Sequence, residues 1–199
     1  MKWTLRDWVY VAVFGALWGA VEISLGSYLH ILFPPLTNTF FNGLVLTFIG
    51  VAIALIGRRF VPQRGAVLMI GVVTALLKLL SLGGVKVGPI VAILAESALM
   101  EVALLAGREP GPMGYILAGT LAFAWNAVHP FIMSPLLFGQ NIGQVYGRLV
   151  KDGAATLGLS VRQGILVLLM LLLMRLAVGG VAGGFAWSLG EAVRRRAGK

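Results

Sequence analysis

The feature that most constrains this chain is a series of apolar runs, each about the length of a bilayer-crossing helix, roughly 17–25 residues. Six such runs are read along the chain: Trp8 to Tyr28, Phe40 to Gly57, Gly65 to Leu82, Pro89 to Ala106, Pro112 to at least Phe131, and Ser160 to Gly180. In hydrocarbon no water satisfies backbone N–H and C=O groups, so runs of this kind fold as helices. They are separated by helix stops: Pro34-Pro35, Arg58-Arg59 with Pro62, Gly83-Gly84, and Gly107 to Pro112. Only 12% of the 199 residues are charged and 59% are hydrophobic, whereas a soluble domain is about a quarter charged. The expected fold is therefore all-α: a polytopic membrane protein, a six-transmembrane-helix bundle forming a single domain over residues 1–199.

The absence of cysteine excludes disulfide frameworks and thiolate metal sites. Gly83-Gly84-Val85-Lys86 lacks the length and Lys-Ser/Thr ending of a phosphate-binding loop, so no ATP hydrolysis is expected by that route. The formal charge of +9 is dispersed in short clusters between the apolar runs, which reads as a topology signal and not as a nucleic-acid face. One set of helix ends carries Lys2, Arg6, Arg58, Arg59, Arg64, Arg108, Arg194, Arg195, Arg196 and Lys199; the other carries Lys78, Lys86, Arg148, Lys151 and Arg162. Ten basic residues against five place both termini on the cytoplasmic side, with Arg194–Arg196 anchoring the last helix at anionic headgroups. The first run is too long for a signal-peptide core and contains Glu22, so cleavage is not expected.

A charge at mid-bilayer costs roughly 2.5–3.5 kcal/mol on insertion scales and needs a partner or a function. Glu22, Lys78, Glu96, the pair Asn126 and His129, and Arg162 with Gln163 fall in one layer near the outer face. Glu22, Lys78, Glu96, Asn126, His129 and Gln163 are the candidate substrate-binding residues. Each has a structural alternative. Lys78 and Arg162 can snorkel outward. His129 can satisfy carbonyls freed by Pro130. Glu22 can be a protonated or lysine-paired structural residue. The apolar stretch Tyr28-Leu-His30-Ile-Leu-Phe33-Pro-Pro suits closure over such a cavity. Deeper in the inner half, Glu101 and Arg175 fall at similar depth, where an ion pair between spans four and six is the economical expectation. Residues Ser134 to Leu159 read either as a helix in the outer interface or as a hinged extension of span five.

Span one carries Ala12, Ala16 and Ala20 at intervals of four, flanked by Gly15 and Gly19. A small-residue stripe lets another helix approach closely, whether inside the bundle or from a partner. The doubled AxxxA of Ala12-Val-Phe-Gly-Ala16-Leu-Trp-Gly-Ala20, with the chain length, six spans and cytoplasmic termini, resembles the substrate-binding S components of energy-coupling factor (ECF) transporters. The resemblance implies a first loop that gates an outward-facing pocket lined by spans four to six. It also implies that the alanine stripe meets a transmembrane T subunit, itself carried on two ATPase subunits.

The leading expectation is thus a substrate-capture subunit in the cell membrane, taking up a small vitamin-like molecule with no cofactor, no metal and no catalysis of its own. One alternative is an integral membrane hydrolase with a metal on Glu22, Glu96, His30 and His129, although no HExxH or comparable spacing occurs. Another is a non-catalytic assembly protein, for which the alanine groove alone would suffice. Glu22 and Glu96 suit a cationic or amine-bearing ring, whereas Lys78, Lys86 and Arg162 suit a carboxylate.

Overall fold

A computed structural model describes residues 2–32, 39–80, 87–105 and 110–197; the side chains of 26–32, 39–42 and 197 are not described. Within these residues the chain is all-α, with no strand: α1 Leu5–Leu32, α2 Thr39–Phe60, α3 Ala66–Leu79, α4 Val87–Leu104, α5 Pro112–Phe138, α6 Ile142–Leu157 and α7 Gly164–Ala197. Five of these, α1, α2, α4, α5 and α7, are long and apolar enough to cross a membrane. The protein is a multi-pass membrane protein.

Local chemistry explains several helix limits. Thr4 and Asp7 form a reciprocal cap at the start of α1, with Thr4 N–H donating to Asp7 Oδ2 (2.9 Å) and Asp7 N–H to Thr4 Oγ1 (3.2 Å). Asn141 and Gln144 do the same for α6. Pro112 opens α5, where its missing N–H costs nothing. Gly139 and Gly158, both at positive φ, close α5 and α6.

Several boundaries differ from the sequence reading. Residues 28–32, expected as loop, are the last turn of α1. The rest of that stretch, 33–38, lies outside the described residues, as does Lys86. Helix α5 runs through Pro130 and Pro135 without a break to Phe138 and is followed by a separate amphipathic helix α6, so the link is an extension of span five plus a helix, with no hinge at Pro135. Helix α3 has 14 residues against the expected span to Leu82; residues 81–86 are outside the description. Helix α7 does not end near Gly180 but continues to Ala197.

The reason α7 continues is its contact with α5. A Cβ added at Gly119 would strike the carbonyl oxygen of Gly179, and one at Gly183 would strike that of Tyr115. The two backbones touch here, as small-residue positions permit. These glycines are packing positions, not stops.

The helices α1, α3, α4, α5, α7 and α2 form a closed ring in that order, each packed on the next, with α6 laid on the outside of α7. Trp18, Leu55, Ile70, Met100, Tyr115 and Phe123 are fully buried within it. Both ends of the described chain lie at one end of the ring. There Arg59 of α2 pairs with Glu191 of α7 and stacks its guanidinium 4.0 Å from the Trp187 ring centroid. At the same end Tyr10 and Phe14 of α1 pack on Phe60 of α2. This is the arginine-rich end.

Two outcomes are expected. Gly183→Leu should lower stability by about 1–3 kcal/mol or more by forcing α5 and α7 apart. Gly180→Ala should be tolerated, because a Cβ there meets only Thr120 and Ile116 at 3.5 and 3.6 Å. Thermal unfolding in detergent compares them, and equal melting temperatures would contradict the close contact. Because the chain has no cysteine, single cysteines at the exposed Arg64 and Lys151 report sidedness cleanly. The positive-inside bias expects a membrane-impermeant thiol reagent to label only Lys151→Cys in intact cells. Equal labelling of both would overturn that orientation.

Candidate functional site

In the half of the ring away from the arginine-rich end, five helices line a part-open cavity of about 270 Å³. Its polar lining is Glu22 of α1, Thr47 of α2, Lys78 of α3, Glu96 of α4 and Asn126 of α5; Gly43, Leu46, Pro89, Ala92 and Ile93 supply apolar walls. Ligand pockets typically run from roughly 300 to 1,000 Å³, so this cavity suits a small molecule.

The polar side chains form two connected groups. Lys78 Nζ donates to the backbone oxygen of Glu22 at 2.6 Å and lies 3.3 Å from Glu22 Oε2. Lys78 is buried and turned inward, so it does not snorkel. Its partner Glu22 answers the cost of burying an ammonium group. The second group is a relay across three helices: Asn126 Nδ2 donates to Thr47 Oγ1 (3.0 Å), and Thr47 Oγ1 donates to Glu96 Oε1 (3.4 Å). Glu96 is 4% exposed, and among the described residues no cation pairs with it.

Four of the six expected residues therefore meet: Glu22, Lys78, Glu96 and Asn126. His129 does not line the cavity. Its Nε2 lies 3.0 Å from the carbonyl oxygen of Gly88, and its ring packs edge-on against Trp125, so it ties α5 to the start of α4. Gln163 does not join the site either; it is exposed in the short turn Val161–Gln163 before α7, and Arg162 is exposed beside it. The pocket is accordingly lined by α1 to α5 and not by the last span. Helix α2 takes that place through Thr47, which sequence reasoning missed because a threonine inside an apolar run carries no charge to draw notice.

The expected ion pair of Glu101 with Arg175 is replaced by another arrangement. Glu101 Oε1 accepts from Gly65 N–H (2.6 Å) and Oε2 from Val67 N–H (2.9 Å), capping the otherwise unmet N-terminus of α3. A carboxylate there also meets the positive end of the helix dipole. Arg175 is buried on α7.

Ala12, Ala16 and Ala20 are all exposed on the outer face of α1, among Val9, Val13 and Leu17. Packing inside the bundle falls to the neighbouring glycines instead. A Cβ at Gly15 would lie 2.6 Å from Val73 Cβ, and one at Gly19 would lie 2.8 Å from Leu77 Cδ1. The stripe thus divides into a glycine edge that seats α3 and an alanine edge that faces outward.

Among the described residues no group of three or more His, Asp or Glu side chains converges as a metal-ligand set. The side chain of His30 lies outside the description. Compared with known proteins, the chain matches no family model, no curated protein and no solved structure.

Thr47→Val keeps the side-chain shape but removes the hydroxyl, leaving Asn126 and Glu96 without their shared partner. Stability should fall by about 1–3 kcal/mol, and Thr47→Ser should recover most of it. A valine variant as stable as the parent in thermal unfolding would show that the relay carries no weight.

Proposed function

We propose that this protein is the substrate-capture subunit of an ECF-type importer in the cytoplasmic membrane, holding a small vitamin-like molecule in the cavity between α1 and α5. The observation that carries the reading is the cavity itself, with Glu22, Lys78, Glu96, Thr47 and Asn126 brought together from five helices inside an apolar bundle. Polar groups are costly in such surroundings and concentrate on substrate paths. With the arginine-rich end in the cytoplasm, both termini are cytoplasmic, the cavity lies in the outer half, and six helices cross the membrane.

The outward alanine edge supports the second half of the reading. An exposed run of small side chains on a membrane helix lets a partner backbone approach closely. Its occupant in this reading is a coupling helix of the T subunit, through which two ATPase subunits drive release. The alanines sit on the outside of α1 while the cavity lies within the ring, so assembly and binding use separate surfaces.

Two measurements test this together. Native mass spectrometry of the purified protein should show a co-purified small molecule. Glu96→Gln and Asn126→Ala should each weaken its capture by about 1–3 kcal/mol, the cost of an unmet buried polar group. Ala16→Trp should abolish co-purification with the T subunit and ATPases, and uptake, while leaving ligand affinity of the isolated subunit nearly unchanged. Retained assembly, or loss of binding in step with loss of assembly, would overturn the interface.

A further inference from the structure

We infer that the cavity selects a small organic cation, an amidinium, protonated amine or protonated amino-heterocycle, over a carboxylate; the inference rests on the substrate-capture reading above. Among the described residues the cavity's ionisable lining is one lysine and two glutamates, which leaves one carboxylate in excess. The geometry says which one. Lys78 is taken up by the backbone oxygen and carboxylate of Glu22, at 2.6 and 3.3 Å, so its charge is answered within the protein. Glu96 is met by the hydroxyl of Thr47 on Oε1 and by the amide of Asn126, and no cation reaches it among the described residues. It is more than nine-tenths buried. A buried carboxylate without a counter-charge is costly to keep ionised, and a ligand cation supplies that charge.

The hydrogen-bond directions agree. Asn126 donates from Nδ2 to Thr47 and also reaches Glu96, and Thr47 donates its proton to Glu96. Asn126 Oδ1 is left as an acceptor on the cavity wall beside the Glu96 carboxylate. A ligand meeting them must bring N–H or O–H donors, and two on one planar group satisfy both. Leu46, Ala92 and Ile93 provide apolar walls for the rest of such a ring. The alternative preference for a carboxylate rested on Lys78, Lys86 and Arg162; Lys78 is taken up by Glu22, Arg162 is not in the cavity lining, and Lys86 lies outside the described residues.

Three probes of one shape and different charge separate the possibilities: benzamidinium, benzamide and benzoate. Each is titrated into the protein in nanodiscs by calorimetry, with displacement of the co-purified ligand followed by native mass spectrometry. Benzamidinium should bind saturably, at least about tenfold tighter than benzamide, as a hydrogen bond to a charged group implies; benzoate should be weakest. In Glu96→Gln the preference for benzamidinium over benzamide should vanish. In Glu22→Gln, which leaves Lys78 without its carboxylate, benzoate should gain on benzamidinium by about tenfold. Benzoate binding to the parent as tightly as benzamidinium, or an unchanged charge preference in Glu96→Gln, overturns the cation assignment and leaves the capture reading standing. A cavity that takes up none of the three probes and releases no co-purified ligand overturns both.

Discussion

Charge is expensive inside an apolar bundle, and the way each buried charge is answered organises this protein. Four charged groups that an apolar interior would otherwise reject are matched: Lys78 with Glu22, Arg59 with Glu191, Asp7 with the backbone and hydroxyl of Thr4, and Glu101 with two N–H groups at the start of α3. Each match joins or fixes helix ends that apolar packing alone would leave free to slide. Glu96 stands apart, because within the described protein it is met by a hydroxyl and an amide and by no cation.

Much of this was legible in the residues. Length and hydropathy locate helices because backbone groups in hydrocarbon have one economical solution. The clustering of Glu22, Lys78, Glu96 and Asn126 follows from depth along antiparallel helices, which counting residues from each helix end measures well. What counting does not measure is rotation about the helix axis. Gln163 and His129 have suitable depth but face elsewhere, the one outward in a turn and the other toward Gly88. Thr47 is the converse, a residue with the right rotation and no charge to mark it. Glu101 and Arg175 share a depth too, yet a helix terminus lay nearer to Glu101 than the arginine, and backbone N–H groups took both of its oxygens. The glycines of α7 illustrate a third limit. Gly179-Gly180 reads as the end of the last span, but the α5 backbone lies against Gly179 and Gly183 and the helix continues.

The same geometry assigns separate tasks to separate surfaces under the proposed function. The ring order places α1 between α3 and α2, with one edge of its small-residue stripe spent on α3 and the other turned outward. A partner helix seated on the alanines would reach the cavity through Glu22, which lies on the same helix and holds Lys78. Rotation or tilt of α1 would then disturb the one ion pair in the cavity lining, which offers a physical link between assembly and release. Because α1, α2, α3, α4 and α5 all contribute to the lining, displacement of α1 opens the cavity without unpacking the close α5–α7 contact.

Whether the carboxylate of Glu96 marks a ligand site is measured most directly by a density map of the protein purified from its native membrane at ligand-resolving resolution. Compact density of a small molecule is expected between Glu96 and Asn126, with donors facing both side chains and the Lys78–Glu22 pair intact. Density of a lipid acyl chain filling the cavity, or Lys78 turned from Glu22 to pair with Glu96, would contradict it.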